Sequence, residues 1–473
     1  MQKKKLYINT IGCQMNVYDS EQITQRLGLI GYGPVSRLES ADLVIVNTCT
    51  IRAKAEQKAM SFLGRVAKLK RKQPNLLLGV CGCVAQQEGR NLIARIPSID
   101  FVLGPNASKH IAAAVTRLEK YGCQIVDVDM VPEALTDQNT LVPEMDLGIS
   151  RFVTIMQGCD NYCTYCVVPY VRGREISRSP EKIINEIKSL VNKGVREVTL
   201  LGQNVNSYGN KQHFEGFASL LKQIDQIDNL LRIRFTTSHP KDLSDDLIRA
   251  FKSVEKLCHH IHLPVQSGSN HVLKRMNRGY TREAYLELIH RLRQACPDIA
   301  ITSDIIVGFP GESEPDFEDT LDLIKTIEFD NVFAFAYSDR PNTPASRFKN
   351  KISQIQKNER LRAVLDLQAE ITQQIHSRLT GTIQTVLVEG ASKKQAKGIQ
   401  DSVDRQNQWT GRTSANKIVN FSDDCRADMK PRVQVGTIRA VSIERALAHS
   451  LVGRVLTGNP CQLPTKGNQS YAA

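Results

Sequence analysis

FVTIMQGCDNYCTYCVVPYVRGRE, residues 152–175, decides how the whole chain is organised. An apolar run, residues 152–156, leads into three cysteines spaced as Cys159-x3-Cys163-x2-Cys166. The run reads as a strand of a parallel sheet, and the cysteines stand just past its C-terminal end, where α/β folds build their sites. Close spacing lets one loop present three thiolates to one iron–sulfur cube, and the fourth iron is left without a protein ligand. An open coordination position is the mark of a working metal rather than a structural one. Zinc fits less well, because its sites mostly use paired C-x2-C arms or add a histidine, and no histidine lies in this loop.

Downstream of the loop, strand and helix patterns alternate up to about residue 376. FVTIMQG, EVTLLGQN, RIRFTTS, HHIHLPVQ, AITSDIIVGF and VFAFAYS are strand-like, and PEKIINEIKSLVNKG, SDDLIRAFKSV and REAYLELIHRLRQA are helical. Six such strands predict an open, partial parallel (β/α) barrel over residues 145–376, closed by a long amphipathic helix near residues 352–379. Residues 377–457 change character: TIQTVLVEG, NKIVNFS, RVQVGTIRAVSIE and SLVGRVL predict a small β-barrel. Residues 392–408 are expected to form a variable loop, and the last dozen or so a frayed tail.

Upstream, residues 3–120 alternate KLYINTIG, ADLVIVNT and LLLGVCG with two helical stretches. Asp19 or Ser20 is the expected N-cap of the first, and Pro74 stops the second. Strand–helix repetition predicts a doubly wound parallel sheet, and residues 122–148 a linker. The expected class is therefore α/β with three units. Cys13, Cys49 and Cys83 each stand just past a predicted strand of the first unit, so all three should converge on one sheet edge. Spacing alone leaves open whether they hold a second cluster or are small buried hydrophobes. Cys81 lies inside its strand and reads as core; Cys123, Cys296, Cys425 and Cys461 read as ordinary thiols.

Charge and redox chemistry narrow the partners. The chain of 473 residues carries a formal net charge of +13. Residues 377–473 hold 14 Lys plus Arg against 7 Asp plus Glu, net +7, which suits a polyanion such as RNA. No run approaches the about 18 apolar residues a membrane helix needs, and the basic start has no apolar h-region, so a cytoplasmic protein without a membrane partner is expected. Twelve cysteines in a reducing compartment favour metal binding or catalysis over disulfides.

The motifs GCQMN, NTCTIR, GCVAQ, the cysteine loop, LGQNVNSYG, HLPVQSGS and DIIVGFPGE follow one another along nearly the whole chain. In this order they resemble the methylthiotransferases of the radical S-adenosylmethionine superfamily. The resemblance implies two 4Fe-4S clusters, on Cys159, Cys163 and Cys166 and on Cys13, Cys49 and Cys83. It implies S-adenosyl-L-methionine on the open iron of the first, cleaved on reduction to a 5′-deoxyadenosyl radical. Gly202, Gln203 and Asn204, with Gly308 and Gly311, are the implied cofactor-lining residues, although a plain turn explains either motif as well. The implied reaction converts N(6)-dimethylallyladenosine beside the anticodon, in tRNAs reading codons that begin with uridine, to its 2-methylthio form. An external electron donor and sulfur donor follow from that chemistry, and the C-terminal barrel resembles the TRAM domain, a small RNA-binding module found at the end of this family, whose phosphate contacts its basic excess fits. Gln14-Met15 after the first cysteine departs from the relative that modifies a ribosomal protein. A sister enzyme acting on threonylcarbamoyladenosine, or a non-catalytic metal-containing RNA-binding protein, are the alternatives. Ser338-Asp339-Arg340-Pro341-Asn342 departs from the family's pattern, and no role is assigned to Asp339 or Asn342. Cys258-His259-His260-x-His262 reads as a barrel strand rather than a metal site, and Trp409 and Phe421 as core.

Overall fold

A computed structural model describes residues 4–50, 53–130, 147–392, 408–423 and 433–456. Cys425, Cys461, the tail, nearly all of the variable loop and much of the linker lie outside the described residues.

The N-terminal unit runs β1 (Lys4–Ile11), α1 (Gln14–Gly28), β2 (Tyr32–Pro34), β3 (Leu43–Thr48), α2 (Ala53–Lys72), β4 (Leu77–Gly82), α3 (Cys83–Glu88), α4 (Arg90–Arg95), β5 (Phe101–Leu103), α5 (Ile111–Tyr121) and β6 (Ile125–Asp127). Its six strands form one parallel sheet, ordered β2-β1-β3-β4-β5-β6. Alternation explains the two layers: Leu43 and Ile45 pack with Ile23, Leu27 and Val115 on one face, Val44 and Val46 with Phe62, Leu63 and Leu92 on the other. Two expectations are corrected here. Helix α1 starts at Gln14 behind an N-cap at Cys13, not at Asp19 or Ser20, because Asn16 completes a capping box with Cys13. The stretch taken as linker contributes β6, a strand of only three residues and too short to show a period.

The central unit comprises β7 (Ser150–Thr154), β8 (Met156–Gln157), α6 (Val168–Val171), β9 (Ile176–Ser177), α7 (Pro180–Asn192), β10 (Glu197–Leu201), α8 (Phe217–Asp225), β11 (Arg232–Phe235), α9 (Asp245–Ser253), β12 (His260–His262), α10 (Asn270–Arg275), α11 (Arg282–Ala295), β13 (Ala300–Val307), α12 (Glu314–Ile327), β14 (Asn331–Ala336) and α13 (Gln354–Arg378). The strands pair in parallel as β11-β10-β7 and β12-β13-β14, bridged at Ile233 and Leu257. One apolar core fills both halves, so they are two parts of one partial barrel.

The last unit is a closed barrel, β15-β16-β17-β19-β18, of β15 (Ile383–Ala391), β16 (Gln408–Thr413), β17 (Ile418–Ser422), β18 (Ile438–Ala446) and β19 (Leu451–Val455). Phe421 is buried in its core and Trp409 packs against it. Strand β16, QWTGRT, is polar in sequence and escaped the strand pattern; pairing with β15 and β17 makes it a strand.

The two outer units attach at opposite ends of the partial barrel. The N-terminal unit meets the C-terminal strand ends through Asp19–Arg172 at 2.8 Å and a Gln157 amide donating to Asn106 at 2.5 Å, and α1 runs on along β7 to its start, where Glu21 pairs with Arg151 at 2.7 Å. The small barrel meets the N-terminal strand ends. Buried Arg234 pairs with Glu197 at 2.8 Å and donates to the Thr413 and Ser414 carbonyls at 2.7 and 3.1 Å. Lys417 pairs with Asp330, and Arg232 donates to the Arg412 and Thr385 carbonyls. Among the described residues, no helix is long and apolar enough to cross a membrane.

Candidate metal centres

The cysteine loop leaves β7 through the short antiparallel pair of β8 and β9, which closes its base. Gly158 turns the chain at φ +80°, and a Cβ there would stand 2.0 Å from the Arg174 carbonyl, so only glycine fits. The Gly158 N–H donates to the Gln203 side-chain carbonyl at 2.5 Å. Thr164 ties the middle of the loop to the Arg275 and Met276 carbonyls at 2.9 and 3.0 Å. Cys163 is buried, and Arg278 donates to its sulfur at 3.3 Å. Among the described residues Arg278 otherwise donates to the Pro264 carbonyl and the Tyr165 and Tyr280 hydroxyls and meets no carboxylate. A buried guanidinium of this kind calls for an anionic neighbour, and sulfur is the group on offer.

Burial pushes the Cys159 thiol up to about 11 and, helped by the neighbouring Cys163, the Cys166 thiol up to about 12. The free thiols therefore resist ionising, and a cationic centre shared between them would remove that resistance. His239 lies 3.9 Å from the Cys163 sulfur, and burial, then Arg278 and Lys241, hold it down to about 2, so it is neutral. The donor set fits an iron–sulfur group.

Among the described residues, four buried side-chain oxygens at the mouth have no hydrogen-bond partner: Asn204 Oδ1, Asn206 Oδ1, Ser238 Oγ and Gln266 Oε1. They follow β10, β11 and β12 and are what a polar ligand seated in the barrel mouth would satisfy. Asp242 accepts from the Asn204 amide at 2.7 Å, which aims the orphan carbonyl. Gly202 packs on Met156, where a Cβ would stand 2.4 Å from that side chain. Gly308 (φ +70°) lies against the Lys357 methylenes and Gly311 (φ +85°) against Arg275. Their turn is braced by Glu312, which accepts from Gly308 N–H and Arg360, both at 2.6 Å. Asn206, Ser238, His239, Gln266 and Arg278 escaped the sequence reading. LGQNVNSYG and HLPVQSGS contain two of them, the only signal available.

Cys13, Cys49 and Cys83 come together at the C-terminal edge of the N-terminal sheet. The register pairs Ile11 with Thr48 and Thr48 with Gly82, which sets the three following segments level. Because β2 and β3 lie on opposite sides of β1, the crevice between β1 and β3 is a topological switch point, and Cys13 and Cys49 flank it. Asn16 locks the edge. Its amide donates to Asn47 Oδ1 and the Thr48 carbonyl, both at 3.0 Å, while its Oδ1 accepts from Cys13 N–H at 3.2 Å. A hydrogen bond from Cys49 brings the Cys13 thiol down to about 6 against the effect of burial, with help from Arg172. Burial pushes Cys83 up, and the nearby charge of Arg172 pulls the other way. Cys81 points into the core, where burial raises its thiol far above the ordinary range. Asn16, Asn47 and Arg172 were not singled out in the sequence, although each lies in or beside a quoted motif.

At the far end of the barrel, His260 and His262 lie on β12 and share Thr302. His259, Cys296 and Asp298 place one ligand atom each within 4.8 Å of one another, with His259 Nδ1 2.9 Å from Asp298. The sequence reading saw no carboxylate beside these histidines; the fold brings Asp298 in from beyond α11.

Parallel half-barrel, three-cysteine loop and orphaned mouth define a radical S-adenosylmethionine enzyme, and residues 153–324 match the Radical SAM superfamily. Residues 5–104 match Uncharacterized protein family UPF0004. The tRNA-2-methylthio-N(6)-dimethylallyladenosine synthase of Desulfosudis oleivorans is 51% identical over 99% of this chain and 100% of its own length. That of Geobacter metallireducens is 51% identical over 96% of this chain and 98% of its own. The chain belongs to the family of tRNA-2-methylthio-N(6)-dimethylallyladenosine synthases. Among solved structures, the radical S-adenosylmethionine methyltransferase TsrM from Kitasatospora setae, with tryptophan and a cofactor analogue bound, superposes with a TM-score of 0.55. It is 15% identical and covers 81% of this chain and 78% of its own, a likeness of fold.

Proposed function

We propose that the chain transfers a methylthio group to carbon 2 of N(6)-dimethylallyladenosine beside the anticodon of tRNA, the reaction named for its relatives. The observation that carries this reading is the meeting of two three-cysteine sets: Cys83 packs on Val167 and Val171, directly after the radical loop. Cys159, Cys163 and Cys166 hold one 4Fe-4S cluster and Cys13, Cys49 and Cys83 a second. When bound, the first cluster and S-adenosyl-L-methionine supply the radical chemistry that an unactivated C–H bond requires. The chain's own residues prepare the site. Arg278 counters the negative charge gathered at Cys163, and Gln203 fixes the start of the loop. Asn204, aimed by Asp242, presents a carbonyl to the cofactor, with Gly202, Gly308 and Gly311 lining the approach. His239 is uncharged, and because its Nδ1 accepts from the Lys241 N–H at 3.2 Å its Nε2–H faces the Cys163 sulfur. The division into units at 3–120, 145–376 and 377–457 follows this assignment, the last as a TRAM-type module binding tRNA phosphates. A cytoplasmic location and external electron and sulfur donors complete the reading.

Nucleoside mass spectrometry of tRNA from cells with and without the protein tests it. The 2-methylthio form of dimethylallyladenosine should vanish without the gene and return with it. Loss of the corresponding threonylcarbamoyladenosine product instead would transfer the assignment to the sister reaction, and no change in either would refute it.

A further inference from the structure

Arg172 belongs to the radical domain by sequence and to the N-terminal cysteines by position. Its backbone ends α6, with its N–H donating to the Val168 carbonyl at 2.8 Å and its carbonyl accepting from the Gln157 amide at 3.3 Å. Its side chain is 4% exposed and crosses to the N-terminal unit, where it meets Asp19 at 2.8 Å. There it lies beside Val171, which packs on Cys83, within electrostatic reach of the Cys83 and Cys13 sulfurs. Val167 and Val171, on either side of the same turn, cover Cys83. The segment that leaves one cysteine set therefore delivers a fixed positive charge to the other.

A guanidinium does not lose its proton in proteins, so a buried one must be balanced by negative charge. Each cysteine set has a deeply buried arginine beside it, with a difference between the two; the half-buried Arg340 also lies within electrostatic reach of Cys49. Among the described residues Arg278 meets no carboxylate, whereas Arg172 lies between Asp19 and the cysteine sulfurs. Three thiolates outweigh the charge of an oxidised cubane core, and reduction adds another negative charge. A cation close to the sulfurs favours the reduced state, and a carboxylate opposite it works against that.

We infer that Arg172 is the positioning residue of the N-terminal centre. It sets that centre's reduction potential from the radical domain, with Asp19 as the opposing group, so the potential is tied to docking of the two units. This rests on the second cluster proposed above. Asp19 and Arg172 also form a domain-joining ion pair, and a purely structural role predicts that removing either partner has the same effect. The electrostatic role predicts opposite effects.

The test uses full-length chain carrying Cys159, Cys163 and Cys166 as Ala, so that one centre remains, reconstituted anaerobically and titrated by EPR-monitored reduction. R172Q should shift the midpoint to more negative potential and D19N to more positive potential. R172K, which keeps the charge but not the fork, should fall between the parent and R172Q. Equal midpoints in the parent and R172Q, or shifts of the same sense in R172Q and D19N, would overturn the inference. If R172Q loads no iron, the decision passes to the other two variants. Loading of R172K with a positive shift in D19N supports the role, and an unmoved D19N overturns it. A parent chain that itself binds no iron refutes the second cluster, a result distinct from all of these.

Discussion

Gly82 is the most informative single substitution in the N-terminal unit. It ends β4 immediately before Cys83 and sits at φ +92°, ψ −159°, a conformation that is essentially glycine's alone. Alanine there would carry about 1–3 kcal/mol of backbone strain. Its Cβ would also stand 2.4 Å from the Thr48 carbonyl oxygen and 2.6 Å from Asn47 Oδ1. Thr48 cannot rotate away, because it is paired with Ile11 on one side and Gly82 on the other. Relief requires β3 and β4 to part, an overpacking penalty of about 1–3 kcal/mol. Together the two effects amount to about 2–6 kcal/mol, a large share of the roughly 5–15 kcal/mol that holds a domain folded. Because Cys49 follows Thr48, the same movement separates Cys49 from Cys83. Gly82→Ala should therefore lower the unfolding temperature and, after anaerobic reconstitution, keep only about four of about eight irons, those of the Cys159 loop. Gly28→Ala is the control: nothing lies within 4 Å of its Cβ position, and stability should change by less than about 0.5 kcal/mol. A Gly82→Ala chain with full iron and unchanged unfolding would show that the close approach of β3 and β4 does not hold the cysteines.

Arg234→Met leaves Glu197 buried without its cation and removes two bonds to the small barrel, so unfolding should lose about 3–5 kcal/mol, with much of it recovered on adding Glu197→Gln. A loss under about 1 kcal/mol would contradict this. Burial, with Arg234 assisting, holds His260 down to about 3. The unfolded chain binds the proton below about pH 6.5 and the folded chain does not, so stability falls as pH drops through that window, by about 1.4 kcal/mol per unit. His260→Asn should flatten that slope in urea titrations at stepped pH, and identical slopes would reject the assignment. Arg445 and Arg454, exposed on β18 and β19, are expected phosphate contacts; replacing both by Ala should reduce the dependence of log affinity for tRNA on log salt by about 1 per contact. An unchanged slope would place the contacts on another face.

Local rules were enough for much of this protein. The Cys159 loop lies at a strand end because apolar runs of that length form parallel strands. Cys13, Cys49 and Cys83 could be placed on one edge because parallel strands put their C-termini on the same side. The polar strand β16 and the three-residue strands β2, β5 and β6 carry no period, and only pairing with neighbours makes them strands. The N-cap of α1 at Cys13 depended on Asn16 finding Asn47, a partner 31 positions away. Arg172, Arg278 and the orphaned carbonyls of Asn204 and Gln266 belong to the same class. A polar side chain shows in sequence what it can bond, but its partner is chosen by burial and docking, which bring distant segments together. The sequence by itself determined which residues could ligate metal and on which sheet edges they stand. Tertiary structure alone decided that buried Arg172 reaches from one such edge to the other, because charge balance in a dry interface depends on every segment that meets there.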